Sequence, residues 1–168
     1  VTGVFLTSDG NVTNSASGSI TAQSGPLVLS ASHGAVTNAG QIETTFVGDL
    51  TVSAASLANT GTVYGSGTGP LALSGALRNV GGQIGSGMGP LVLTAQTIDN
   101  TTGKIISAAD PATLTADTIA NSRGVIQAAG DLLLSAASLD NRAGGTVLST
   151  GGALTLTHGQ APMDSVLN

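Results

Sequence analysis

Nine carboxylates, two histidines and no cysteine are the residues of this chain that could do acid–base or metal chemistry. The acids are Asp9, Glu43, Asp49, Asp99, Asp110, Asp117, Asp131, Asp140 and Asp164. Two carboxylates at a fixed separation can cleave a glycosidic bond, one as acid and the other as base or nucleophile. Asp99 and Asp140 each stand one residue before an asparagine, and Ala120 takes the same place between them. On stacked strands that puts the two acids roughly 10 Å apart, near enough to the ~6.5–9.5 Å of an inverting pair that distance alone does not exclude chemistry. Nothing in the sequence completes such a site, and Arg78, at the same position one unit earlier, reads as a weak surface partner of Asp99. His33 and His158 are far apart and lack a partner motif, so both are read as facing solvent. The glycine runs at 65–69 and 85–89 lack the Lys-Ser/Thr of a phosphate loop and read as turns. The calcium-binding pattern G-G-x-G-x-D is absent. Asn11 and Asn100 open glycosylation triplets, but Asn100 is expected to point inward. No residue is assigned to catalysis, a cofactor or a metal, and the chain is read as not an enzyme.

The elements that carry these residues are governed by an unusual composition. Charged residues are 8% and aromatic residues 2% of the 168, against 40% hydrophobic. An ordinary domain has roughly 25% charged residues. So narrow an alphabet suggests one packing problem solved many times. The net charge is −5, and Arg78, Lys104, Arg123 and Arg142 are the only permanent cations. Scattered along the sequence, they cannot supply the clustered charge that nucleic acid or heparin-like polymers need. No apolar run approaches the ~18 residues of a membrane span. No signal sequence is recognisable, and both ends read as cut from a longer chain.

Asparagine sets the phase of a repeat: Asn14, Asn38, Asn59, Asn79, Asn100, Asn121 and Asn141. Each follows an aliphatic residue by two: Val12, Val36, Leu57, Leu77, Ile98, Ile119 and Leu139. A glycine comes shortly after (Gly18, Gly40, Gly61, Gly81, Gly103, Gly124, Gly144), then one β-branched residue (Ile20, Ile42, Val63, Ile84, Ile105, Ile126, Val147). An alternating pair follows: Leu27/Leu29, Leu50/Val52, Leu71/Leu73, Leu91/Leu93, Ala112/Leu114, Leu132/Leu134 and Leu154/Leu156. Alternation with period two means strands with one face inward. Short strands separated by glycine and asparagine turns, recurring every 20–21 residues, predict an all-β right-handed parallel β-helix. It should have about seven coils and three short strands per coil, each coil stacked on the next at ~4.8 Å. A leucine-rich repeat is rejected, because its Asn follows the L-x-L pair after about three residues, whereas Asn100 follows Leu93 by seven.

Stacking turns each repeat position into a row. The asparagine row should form a ladder of side-chain amides bonded from coil to coil, and Asn100→Leu should destabilise it. Pro26, Pro70, Pro90 and Pro111, with Asp49 and Asp131, should mark the corner before the L-x-L strand. A hydroxyl row (Ser30, Ser53, Ser74, Thr94, Thr115, Ser135, Thr157) should face solvent. Beside it runs a mixed row of Val28, Thr51, Ala72, Val92, Thr113, Leu133 and Thr155. Together they make one flat, weakly apolar face, the best candidate binding surface. An ice-binding array is a further reading, but Val28, Ala72, Val92 and Leu133 interrupt the threonines.

The unit resembles the repeats of filamentous haemagglutinin-like exoproteins. The stretches that carry the resemblance are SLANTGTVYGSGTGPLALSGALRNVGGQI (56–84), LVLTAQTIDNTTGKI (91–105) and LLLSAASLDNRAGGTVLSTGGALTLT (132–157). It covers residues 12 to 157. The resemblance implies the shaft of a secreted, cell-surface bacterial adhesin associated with virulence. It also implies export through an outer-membrane two-partner secretion transporter. A direct receptor-binding segment of a contact-dependent toxin-delivery exoprotein, engaging a host or bacterial surface receptor, is the alternative. A polysaccharide-acting enzyme comes third. The repeat domain is expected to span residues 1–159, with a non-repeat tail at 160–168 that covers one end or is disordered. Asn14 and Asn38 are 24 apart, which reads as a loop insertion.

Overall fold

The structure is a computed structural model that describes residues 3–168. Short strands wind into stacked parallel coils, about seven in number, with three faces. An isoleucine face is built from Ser19–Ala22, Gln41–Thr44, Thr62–Gly65, Gln83–Ser86, Lys104–Ser107, Val125–Ala128 and Thr146–Ser149. A leucine face follows in each coil: Val4–Ser8, Gly69–Leu73, Leu91–Thr94, Ala112–Thr115, Leu132–Ser135 and Leu154–His158. An asparagine face closes the coil: Val12–Asn14, Ala76–Arg78, Thr97–Asp99, Thr118–Ala120, Ser138–Asp140 and Ser165–Leu167. Two long strands, Leu27–Asn38 and Leu50–Asn59, run through both of the last two faces.

Like residues stack on like. Ile42, Val63, Ile84, Ile105 and Ile126 are fully buried in one inward row, and Leu57, Leu77, Ile98 and Ile119 in another. Each such side chain contributes roughly 1.5–3 kcal/mol by leaving water. Tyr64, the one tyrosine, lies against Gly85 of the next coil on the outer isoleucine face. Its ring covers backbone that a glycine leaves bare.

The leucine face departs from the expected rows in one coil. Leu71 pairs with Val52 and Leu93, not with Leu50 and Leu91. Gly69 takes the inward place opposite Leu91, and Leu73 lies opposite Ala54. Pro70 is therefore inside the strand, while Thr68 holds the corner place beside Asp49 and Pro90. Ala72 replaces Ser74 in the hydroxyl row, and Pro70 replaces Ala72 in the mixed row. The cause is a missing residue. Val52 and Leu57 are five apart, as are Leu93 and Ile98, Leu114 and Ile119, and Leu134 and Leu139, but Leu73 and Leu77 are only four apart. A shift of two residues keeps side chains on their faces and turns the short corner into a long one.

The expected loop insertion is a bulge in Leu27–Asn38, where pairing shifts between Ala31 and Ala35. The coil beneath matches it, with the Ala35 amide donating to Asn11 Oδ1 at 2.9 Å. The tail does not simply leave the repeat. After an antiparallel excursion at Ala161–Pro162, Ser165–Leu167 pairs in parallel with Ser138–Asp140. Asn168 then stands above Asn141.

The glycine row also differs by one residue in two coils. An added Cβ would strike backbone carbonyls at Gly40, Gly61, Gly82, Gly103, Gly124 and Gly145. Gly81 and Gly144, assigned to this row from spacing, instead occupy the left-handed region with φ of 72° and 82°. The place of Gly81, two residues after its asparagine, is filled in later coils by Thr102, Arg123 and Ala143, with φ of 57°, 56° and 56°. Thr102 sits third in a turn that the Gly103 amide closes onto the Asn100 carbonyl at 3.0 Å. A β-branched residue there is strained by roughly 1–2 kcal/mol. Thr102→Gly is expected to raise stability by about 0.5–1 kcal/mol after glycine's entropy cost, read as a higher urea midpoint. An unchanged or lower midpoint would contradict the strain.

Candidate functional site

The asparagine face begins from one buried column. Asn14, Asn38, Asn59, Asn79, Asn100, Asn121 and Asn141 are all buried, four of them completely. Each Nδ2 donates to Oδ1 of the next asparagine: Asn79 to Asn100 at 2.7 Å, Asn100 to Asn121 at 2.7 Å, and Asn141 to Asn168 at 2.8 Å. The same nitrogen of Asn100 also faces the carbonyls of Gly103 (3.3 Å) and Val125 (3.0 Å). Those carbonyls can only accept, so the amide orientation is fixed. Among the described residues no buried side-chain polar atom lacks a partner. The ladder satisfies groups that would otherwise be costly to bury, and it leaves no amide free for a ligand.

Asp99, Ala120 and Asp140 do share one column in consecutive coils. Arg78, directly beneath Asp99, is 3.9 Å away and well exposed, the weak pair the sequence suggested. Asp140 has a partner that sequence reading missed. Arg142 donates to it from Nε at 2.8 Å and Nη2 at 2.6 Å. These side-chain bonds, with the Arg142 backbone amide, hold the Asp140 carboxyl below its usual value. A carboxylate kept ionised by its own arginine is poorly suited to giving up a proton. By carboxyl NMR titration, the Asp140 midpoint is expected below that of an ordinary aspartate and should rise toward it in Arg142→Ala, which removes the side-chain bonds and keeps the backbone one. The pair's small contribution to stability is complete above the ordinary carboxylate value and is lost as pH falls through the depressed one. An unshifted midpoint in the unaltered chain would show that the pair does not persist in solution.

The four cations are not scattered once the chain is coiled. Arg78, Lys104, Arg123 and Arg142 all lie between one residue before and four residues after a ladder asparagine. Stacking therefore gathers them along one edge, together with Asp99 and Asp140. The edge borders a shallow polar groove of about 290 Å³, lined by Thr60, Thr62, Gln83, Thr102 and Lys104 over glycine backbone.

Serine, histidine and aspartate meet once, at the Leu27–Asn38 bulge. Ser32 Oγ lies 3.2 Å from Asp9 Oδ1 and 3.4 Å from His33 Nδ1, all exposed. In a hydrolytic triad the carboxylate orients the histidine; here it contacts the serine. His158 was expected to stand alone, but its Nδ1 is 3.2 Å from Asp164. Asp49 and Asp131 hold the corner by accepting from the Thr68 and Ala153 amides of the next coil, both at 2.8 Å. Among the described residues no cluster of three His, Cys, Asp or Glu is placed to hold a metal. Among the described residues no helix is long and apolar enough to cross a membrane.

The leucine face presents two outward columns. One outward column runs Phe5, Val28, Thr51, Pro70, Val92, Thr113, Leu133 and Thr155. The other runs Thr7, Ser30, Ser53, Ala72, Thr94, Thr115, Ser135 and Thr157. Neither contains a charge. Val92 is 43% and Phe5 67% exposed, whereas Leu133 is half-buried.

Parallel coils, like-on-like rows and an internal amide ladder define this molecule as a β-solenoid built from repeats. The haemagglutinin repeat model matches it three times, at residues 2–44, 45–96 and 88–158. The chain belongs to the haemagglutinin repeat family, a structural, adhesin-type family. No curated protein and no solved structure matches it.

Proposed function

We propose that this segment is part of the shaft of a secreted bacterial surface adhesin, exported through an outer-membrane two-partner transporter, and that it supplies length and display. One observation carries the reading. The asparagines, the crowded glycines and nearly all the aliphatic residues that the repeat holds constant face the core or the turns, and of the outward columns only the hydroxyl row keeps its chemistry from coil to coil. Such a chain is selected for the stack itself. A solenoid of this kind grows in length by adding units whose stability depends on neighbours, which suits a spacer.

A second reading is supported by the charge-free leucine face: an outward strip of this kind can contact a receptor directly. The test is binding of the purified segment to epithelial and bacterial cells, beside a Val92→Asp/Leu133→Asp variant shown by circular dichroism to stay folded. The shaft reading expects no saturable binding by either protein. Saturable binding by the unaltered segment, lost in the folded variant, would overturn it in favour of direct recognition.

A further inference from the structure

The Asn59–Asn79 coil carries two sets of signals that its strand Gly69–Leu73 cannot satisfy together. In the observed register the corner leading to Leu77 is long enough. The costs lie elsewhere. Gly69 sits in a row of leucines, with Leu91 Cδ1 filling the place its side chain would take. Pro70 lies within a strand, a position prolines normally avoid. Leu73 occupies a site that Ala54 holds in the coil before.

Sliding the strand by two residues would reverse every one of these costs. Inward residues would stay inward, because side chains alternate with period two. Leu71 and Leu73 would join Leu91 and Leu93, Ser74 would stand beside Thr94, and Pro70 would return to the corner held by Pro26, Pro90 and Pro111. Pro70-Leu71, the end of a segment (65–71) that repeats at 85–91 but for Thr68 and Met88, would then face Pro90-Leu91. The costs would be a corner one residue short, with Gly75 inside it to take up the bend, and the loss of the Thr68 amide's bond to Asp49, because Pro70 in that place has no N–H.

We propose that this strand exchanges between the two registers, which makes the coil a two-state joint in the shaft. The exchange redraws the leucine face, from Pro70 and Ala72 outward to Ala72 and Ser74 outward. It also remodels the groove of about 320 Å³ that Ser32, Ser53, Leu73 and Ser74 border.

The chain has no cysteine, so introduced pairs report alone. Ala72→Cys with Thr94→Cys reads the observed register, and Ser74→Cys with Thr94→Cys reads the shifted one. At equilibrium in a glutathione buffer both disulfides should form in the folded protein, with constants within about a hundredfold of each other. An alanine inserted between Ser74 and Gly75 supplies the missing residue and should reverse the preference. The proposal fails if the Ser74 pair forms no better than a control pair, Ser74→Cys with Thr115→Cys. It fails equally if the Ala72 pair does not form, or if the insertion leaves the preference unchanged.

Discussion

Asn100→Leu is expected to lower the unfolding free energy by about 3 kcal/mol, the cost of leaving buried amides and carbonyls without partners. Asn79 loses the oxygen that accepts its Nδ2 at 2.7 Å, though the Gly82 and Lys104 carbonyls remain. Asn121 Oδ1 loses its donor outright, and the carbonyls of Gly103 and Val125 lose the Asn100 amide. Leucine brings apolar surface, but the site it enters is walled by oxygens. Asn14→Leu, at the end of the ladder, should cost about 1 kcal/mol less, because Asn14 donates to the equivalent three acceptors but, unlike Asn100, accepts from no ladder asparagine beneath it. Urea unfolding of the two variants checks both values. Equal losses, or none at Asn100, would remove the ladder as a source of stability.

Gly103→Ala should be at least as damaging, about 3 kcal/mol or more, with loss of folding as the extreme outcome. The added Cβ would overlap the Asn79 carbonyl oxygen and crowd the Asn100 and Asn79 amides. The carbonyl belongs to the coil beneath, so room can be made only by parting two coils. Gly81→Ala is the contrast. It has open space around it, with only Thr102 Oγ1 at 3.9 Å, and its φ of 72° is the sole obstacle. Its cost should be about 1 kcal/mol. Thermal unfolding should therefore rank the two glycines clearly, and equal losses would show that contact between coils is not what selects Gly103.

That contrast also shows what a sequence can and cannot reveal. Gly81 and Gly82 are adjacent, and spacing alone picked the wrong one, because only the stacked backbone distinguishes a crowded position from a left-handed one. The asparagine row was legible from Asn14 to Asn141, since each of these carries its aliphatic residue two places before it, and a row so constant has one physical use. The leucine rows were legible except in the coil where Leu73 and Leu77 are four apart. There the near-copy at 65–71 and 85–91 pointed to one register and the corner length to another. Asn168 was hidden by the excursion that separates it from Asn141 by 27 residues.

Surface features were harder to read, because they arise between coils. Arg78, Lys104, Arg123 and Arg142 look dispersed in a linear chain, and their shared place beside the ladder shows only when positions are counted relative to it. The Asp140–Arg142 pair is local, and its two-residue spacing could have been read as an outward pair beside a turn. The Ser32, Asp9 and His33 contact left no such signal, since it depends on how the bulge in Leu27–Asn38 sits over the loop of the coil beneath. The family, by contrast, was visible in the repeat itself, because the repeat is the family's defining feature.

The ladder has one more property. Backbone hydrogen bonds in a parallel sheet point alternately up and down the stack, so their dipoles largely cancel. The asparagine amides all point the same way, each nitrogen toward the last coil. Their dipoles add, as peptide dipoles do along a helix, and the bonds polarise one another. The stack is thus an electrically polar needle, negative toward its first coil and positive toward its last. Two of them lying side by side would attract head against tail.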